Sequence, residues 1–123
     1  GWKWGQWNLA EYYFTGHSVV EKDNLYAKLW YGKAALQDDG KMQCMLGDKY
    51  RDGKFGEISH EDAFRWYQKS AQQGNNWGIW NLAQCYQFGR GVEQSKQEAS
   101  NWYQIAASNG HEKSTKCLNE LSE

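Results

Sequence analysis

Residues 74–92 read GNNWGIWNLAQCYQFGRGV, a stretch with a helical apolar rhythm. With Leu82 at zero on a helical wheel of about 100° per residue, Gly78, Ile79, Ala83 and Tyr86 fall within roughly 100° of it and form one apolar stripe. That pattern predicts a helix over 76–88, closed by the loop Gly89-Arg90-Gly91-Val92. Two tryptophans do not share the stripe. Trp77 and Trp80 fall at roughly 140–220° from Leu82, with Gln84 and Gln87.

Outward from this stretch, the chain repeats itself. Trp30-Tyr31, Trp66-Tyr67 and Trp102-Tyr103 recur at a period of 36 residues, as do Leu46, Leu82 and Leu118. Tyr50 with Tyr86 and Ala63 with Ala99 keep the same period, and Leu9, Tyr13 and Ala27 complete a first copy if one extra residue is allowed between 16 and 27. Each copy reads as two helices, and a second helix in the third copy is predicted over 96–108. Ser95 with Glu98 has the spacing of a capping box, and Ser59 with Asp62 repeats it with a shorter acid. Asp23 is placed to cap the matching helix of the first copy. Gly74 and Gly110 suit the left-handed residue that ends a helix. A single helix pair cannot bury its own apolar face, whereas stacked pairs can. The expected fold is therefore all-α: a solenoid of three helix-turn-helix repeats (about 1–37, 38–73 and 74–109) and a capping helix over about 111–121, together one domain over 1–123.

Composition agrees. The 123 residues hold no proline, eight Trp, eight Tyr and four Phe, with few β-branched residues to favour strands. A formal net charge of −1 without a basic block argues against nucleic-acid binding. No apolar run is long enough for a membrane span, so no membrane insertion is expected. Cys44, Cys85 and Cys117 are an odd, scattered set. They make no disulfide scaffold, one bridge stays open, and the usage leans to a reducing compartment, cytoplasmic over periplasmic. His17, His60 and His111 have no partner at a catalytic spacing. His60-Glu61-Asp62 is consecutive on a helix and points in different directions, so neither metal nor cofactor is expected. Gly89-Arg90-Gly91 lacks the preceding strand and following lysine of a phosphate loop.

At this point the pattern resembles the Sel-1-like repeats, relatives of the tetratricopeptide repeats, with a consensus of the form A-x-x-x-L-G-x-x-Y-x-x-G-x-G-V followed by A-x-x-W-Y-x-K-A-A-x-x-G. The chain carries WNLAQCYQFGRGV (80–92) with ASNWYQIAASNG (99–110), CMLGDKYRDGKFG (44–56) with AFRWYQKSAQQG (63–74), and WNLAEYYFTGHSV (7–19) with AKLWYGKAA (27–35). Departures fall at Ser18, at Gly53-Lys54-Phe55-Gly56, at Met42 and Ser70 where alanine is usual, and at Asp38 in a turn-glycine place. The resemblance implies a right-handed α-solenoid, a concave face lined by the first helices, and binding of other proteins without chemistry.

Shifting by one repeat at a time places four columns on that face: Trp4, Lys41, Trp77 and Lys113; Trp7, Cys44, Trp80 and Lys116; Glu11, Asp48, Gln84 and Glu120; and Phe14, Arg51, Gln87 and Glu123. The expected partner-binding residues are Trp4, Trp7, Glu11, Phe14, Lys41, Cys44, Asp48, Arg51, Trp77, Trp80, Gln84 and Gln87. The competing reading is that a tight superhelix packs some of these tryptophans on adjacent first helices. Trp2 reads as core, and Trp30, Trp66 and Trp102 as structural. The expected partner is another protein or peptide. An immunity protein that blocks a secreted bacterial toxin, and a glycan binder that stacks sugars on tryptophan, are the alternatives. The start, GWKWGQW, shows no cap, so continuation upstream, cover by a partner, or self-association through that end are all expected options.

Overall fold

Among the described residues seven helices stack in chain order: α1 (Trp2–Thr15), α2 (Asn24–Ala35), α3 (Gly40–Arg51), α4 (His60–Gln72), α5 (Asn76–Phe88), α6 (Lys96–Ser108) and α7 (Glu112–Leu121). The computed structural model describes residues 2–15, 24–37 and 39–121, with side chains at 3–12, 27–37 and 39–121. Among these there is no strand. The expectations for Trp2 as core, Phe14 as a contact, Asp23 as a cap, and His17, Ser18, Asp38 and Glu123 lie outside what is described. The helices expected over 76–88 and 96–108 form with those bounds.

Each odd helix packs on the even helix that follows it, and each even helix packs on the next odd one; α3 also touches α5. This is the helix-pair solenoid that the period implied. Its core is a repeated stripe at i, i+4 and i+7 of the second helices: Ala27, Tyr31 and Ala34; Ala63, Tyr67 and Ser70; Ala99, Tyr103 and Ala106, all buried. The alanines admit close helix approach and the tyrosine rings fill the space between. Leu46 and Leu82 meet them from the first helices, also buried.

The departures from the repeat pattern compensate one another. A Cβ on Gly78 would lie 2.1 Å from the Ser70 hydroxyl, so a residue larger than alanine on α4 is accommodated by none at all on α5. That hydroxyl donates to the Gly40 carbonyl at 2.6 Å. One repeat earlier the same register pairs Ala34 with Met42, both fully buried, so volume moves from one partner to the other and packing density is kept. Phe55 occupies the register of Gly91. Phe55 is buried, tilted against Tyr31 at 5.9 Å and edge-on to Tyr50 at 5.0 Å. Gly91 instead runs so close over the start of α4 that a Cβ would lie 2.2 Å from the His60 carbonyl oxygen, and its φ is 75°.

Helix ends follow local chemistry in part. Ser59 and Ser95 accept from the amides of Asp62 and Glu98, as expected. The reciprocal half of the box does not form. The Ser59 and Ser95 amides donate to the carbonyls of Tyr50 and Tyr86 at 2.9 and 2.8 Å, so the first helix of each pair takes the bond that the acid would have made. Asp62 instead accepts from the Ser59 hydroxyl at 2.9 Å. After α4, Gly74 donates to Ala71 and Asn75 to Ser70; after α6, Gly110 donates to Ala107 and His111 to Ala106. Both ends are Schellman motifs with left-handed glycines at φ 78° and 86°. Asp39 and Asn75 cap α3 and α5, and His111 stands in the same register before α7.

Candidate functional site

The four columns separate once the helices are stacked. In the first, Trp4, Lys41, Trp77 and Lys113 are all exposed, with Trp4 at 38% and Trp77 at 48%. In the second, Trp7 and Cys44 are buried at 3% and 6%, Trp80 is half-buried and only Lys116 is exposed. The expectation that Trp7 and Cys44 present themselves to a partner is therefore corrected. Trp7 stands edge-on to Tyr31 at 4.5 Å inside the core of the first two units. The Cys44 thiol faces Asn81 of the next unit, whose amide nitrogen lies 3.5 Å from the sulfur. Tyr31 of α2 covers Trp7 and Asn81 of α5 covers Cys44 as the helices stack.

The third column serves the tyrosines. The Tyr67 hydroxyl donates to Asp48 at 2.6 Å, and Tyr103 donates to Gln87, from the fourth column, at the same length. Burial raises the Tyr31 pKa, and its hydrogen bond to Glu11 raises it further. Buried phenols need acceptors, and the half-buried polar groups of the first helices supply them. Arg51 is fixed as well. It pairs with Asp52 through Nε at 2.9 Å, with Asp48 through Nη1 at 3.3 Å, and donates from Nη1 to Asn81 Oδ1 at 3.2 Å. Gln84 borders a small cavity of about 10 Å³ with Arg51, His60 and Tyr67, room for about one water.

Asn81 is a groove residue that the wheel missed. It is buried, donates to the Trp77 carbonyl at 2.9 Å, and ties α5 to Arg51 of α3. The signal was a polar side chain at the edge of an apolar stripe, which must find partners when covered.

Lys41, Cys44, Met45, Asp48, Trp77 and Asn81 surround an open groove of about 210 Å³ between α3 and α5. At its edge stands an aromatic group. Trp77 is edge-on to Trp80 at 5.6 Å and to His111 at 4.6 Å. The Lys113 ammonium lies 5.3 Å from the Trp77 ring centre and 5.7 Å from that of Trp80. His111 Nδ1 and the buried Ser114 hydroxyl share a hydrogen bond at 2.7 Å. Lys41 repeats the lysine-on-ring arrangement one unit earlier, 6.0 Å from the Trp4 ring centre. The open stripe thus alternates ring and cation from unit to unit.

Burial pushes the Cys44 thiol up to about 12, with Asp48 adding to the effect, and burial pushes Cys85 up to about 11. Both are protonated at neutral pH and poor nucleophiles. Among the described residues no group of three or more His, Cys, Asp or Glu side chains could hold a metal ion. No helix of the described residues is long and apolar enough to cross a membrane.

A helix-pair solenoid with a ring-lined open face defines a class, and comparison with known proteins gives the family. The Sel1 repeat model matches residues 5–39, 40–75 and 78–111. The chain belongs to the Sel1 repeat family. Sel1 repeat proteins are generally scaffolds for protein interaction. Among solved structures, a Sel1 repeat protein from Oxalobacter formigenes is 29% identical, with 96% of this chain and 88% of that one covered and a TM-score of 0.78. The protective antigen c5321 of uropathogenic Escherichia coli, which displays an SLR fold, is also 29% identical with a TM-score of 0.82; the match covers 98% of this chain and 26% of that one. Cysteine rich protein B of Helicobacter pylori, at 21% identity and a TM-score of 0.70 over 94% of this chain and 96% of that one, shares the fold. No curated protein sequence matches the chain.

Proposed function

We propose that this chain is a non-catalytic binding module that holds a partner protein or peptide against the open stripe of its first helices, with Trp77 as the principal anchor and Trp4, Lys41 and Lys113 around it. One observation carries the reading. Trp77 leaves 48% of its surface exposed while Trp80 and His111 fix its ring. A large ring held in place before binding has little rotamer freedom left to lose, which is how an anchor residue gains affinity. Asp48 lines the groove and Arg51 holds Asp48 and Asn81 in place; both spend their hydrogen bonds within the protein, so they act through position.

Affinity capture from the native source tests this, with the wild-type chain and Trp77→Ala as baits and circular dichroism to show that both are folded. A protein retained by the wild type is then purified and titrated against both. Direct binding weakened at least tenfold by Trp77→Ala is the expected result; equal binding by a folded Trp77→Ala rejects the stripe. An inhibitor of a toxin would retain one enzyme and abolish its activity, and saccharide-dependent quenching of tryptophan fluorescence would point to a glycan instead.

A further inference from the structure

We infer that the occupant of the open stripe is an acidic peptide segment: carboxylates for Lys41 and Lys113, and an apolar or aromatic side chain laid on Trp77. The inference rests on the stripe being the binding face, and it adds the chemistry of the partner.

Charge is the argument. The carboxylates nearest the groove are already answered from within. Asp48 accepts from Tyr67 and pairs with Arg51, Glu11 pairs with Lys49 at 3.7 Å, and Asp39 pairs with Lys3 at 2.9 Å. Lys41 and Lys113 differ. Both are exposed, and the neighbours of their ammonium groups are ring faces at 5.3–6.0 Å. An exposed cation over a ring gains only about 0.5–1 kcal/mol. Each lysine can therefore swing from its ring to an incoming carboxylate at small cost and uncover an aromatic face as it does so. A basic partner would have to set its own cations against both lysines and leave them without a counter-charge. On α7 the exposed Glu120 stands two turns beyond Lys113, roughly 10 Å along the helix, and the exposed Glu112 lies about 100° round it, while Lys113 is the charge over the Trp77 ring.

Spacing limits the segment. Lys41 on α3 and Lys113 on α7 are two first-helix steps apart. At roughly 10 Å per step they are spanned by about six residues of extended chain. A peptide with acidic residues about six apart, and one bulky apolar side chain between them, fits the ladder of Lys41, Trp77 and Lys113. Two lysines do not make the continuous basic track that a nucleic acid needs.

The test is a selection from a random twelve-residue peptide display library on the immobilised full chain. The best-enriched peptide is then synthesised and titrated against the wild type, Lys41→Gln/Lys113→Gln and Trp77→Ala. Expected are peptides rich in Asp and Glu around an apolar or aromatic residue, with affinity weakened at least tenfold by the lysine pair and falling as NaCl rises from 50 to 300 mM. Both lysines are exposed and give up only their ring contacts, so the double variant stays folded, with a melting temperature within roughly 5 °C of the wild type. Enriched peptides that are neutral or basic, or that bind the double variant as well as the wild type, overturn the inference. If those peptides still need Trp77, the stripe stands and only the partner's charge is wrong. If binding ignores Trp77 too, or no peptide is enriched over an unrelated repeat protein, the stripe reading falls with it. Displacement of the acidic peptide by oligo-dT at equal charge would assign the lysines to polyanions at large and likewise overturn it.

Discussion

Trp7 and Trp77 occupy adjacent positions on the same helical wheel yet should respond to truncation in opposite ways. Trp7 is 3% exposed and packs edge-on to Tyr31 at 4.5 Å. Trp7→Ala removes an almost fully buried indole, and the core of the first two units cannot collapse around the loss, so the expected cost is about 3–5 kcal/mol. For a chain of this length that is a fall in Tm of roughly 10–25 °C. Trp77 is 48% exposed. Half the ring is already in water, and it packs only on the half-buried Trp80 and His111 and the exposed Lys113. The expected cost of Trp77→Ala is about 1–2 kcal/mol, a fall of roughly 3–10 °C. The exposed half is the part a partner can cover. It amounts to roughly 100 Å² of a ring that buries up to about 250 Å², which at about 25 cal/mol per Å² gives an upper value near 2.5 kcal/mol of binding. Thermal unfolding by circular dichroism on both variants reads the first pair of numbers, and titration with a selected peptide reads the second. Equal losses of Tm in the two variants, or a Trp7→Ala protein as stable as the wild type, would refute the separation of the columns into a covered one and an open one.

Gly47→Ala should destabilise although alanine is the better helix former: its Cβ would lie 2.6 Å from the Tyr67 ring, and overpacking of about 1–3 kcal/mol outweighs a propensity gain of about 1 kcal/mol. Gly32→Ala, with nothing within 4 Å of the new Cβ, should instead raise stability by about 0.5–1 kcal/mol; urea unfolding of the two variants decides. The His111 pKa is lowered by burial and by Lys113, so the neutral ring is the form the fold prefers. Its contribution is complete above the ordinary value of 6.5 and is lost as pH falls through the lowered one. Asp39 and Asp52, held low by Lys3 and Arg51, lose theirs only below 3.8. Melting temperatures at pH 7.5 and 5 should therefore fall more for the wild type than for His111→Gln, and equal slopes would remove His111 as the cause.

Local pattern was enough for the repeat and its elements. The period of 36 was legible by comparing the chain with itself, and the bounds of the helices over 76–88 and 96–108, the cap serines Ser59 and Ser95 and the left-handed Gly74 and Gly110 were legible because each depends on residues within about one turn of the position concerned. The wheel also set Trp77 and Trp80 opposite the leucine stripe. Which of those columns stays open was a different question. A wheel ranks the faces of one helix against that helix alone, whereas burial depends on what the neighbouring unit brings across. Cys44 is covered because Asn81 arrives from 37 residues away. Asp48 loses its freedom to Tyr67 and Arg51, and the Ser95 amide turns from its own glutamate to the Tyr86 carbonyl. The solenoid of helix pairs and the register of its columns followed from local pattern and repetition along the chain. That Trp7 is core while Trp4 and Trp77 are surface depends on stacking: Tyr31 of α2 covers Trp7 and Asn81 of α5 covers Cys44, whereas the rings of Trp4 and Trp77 keep an open side.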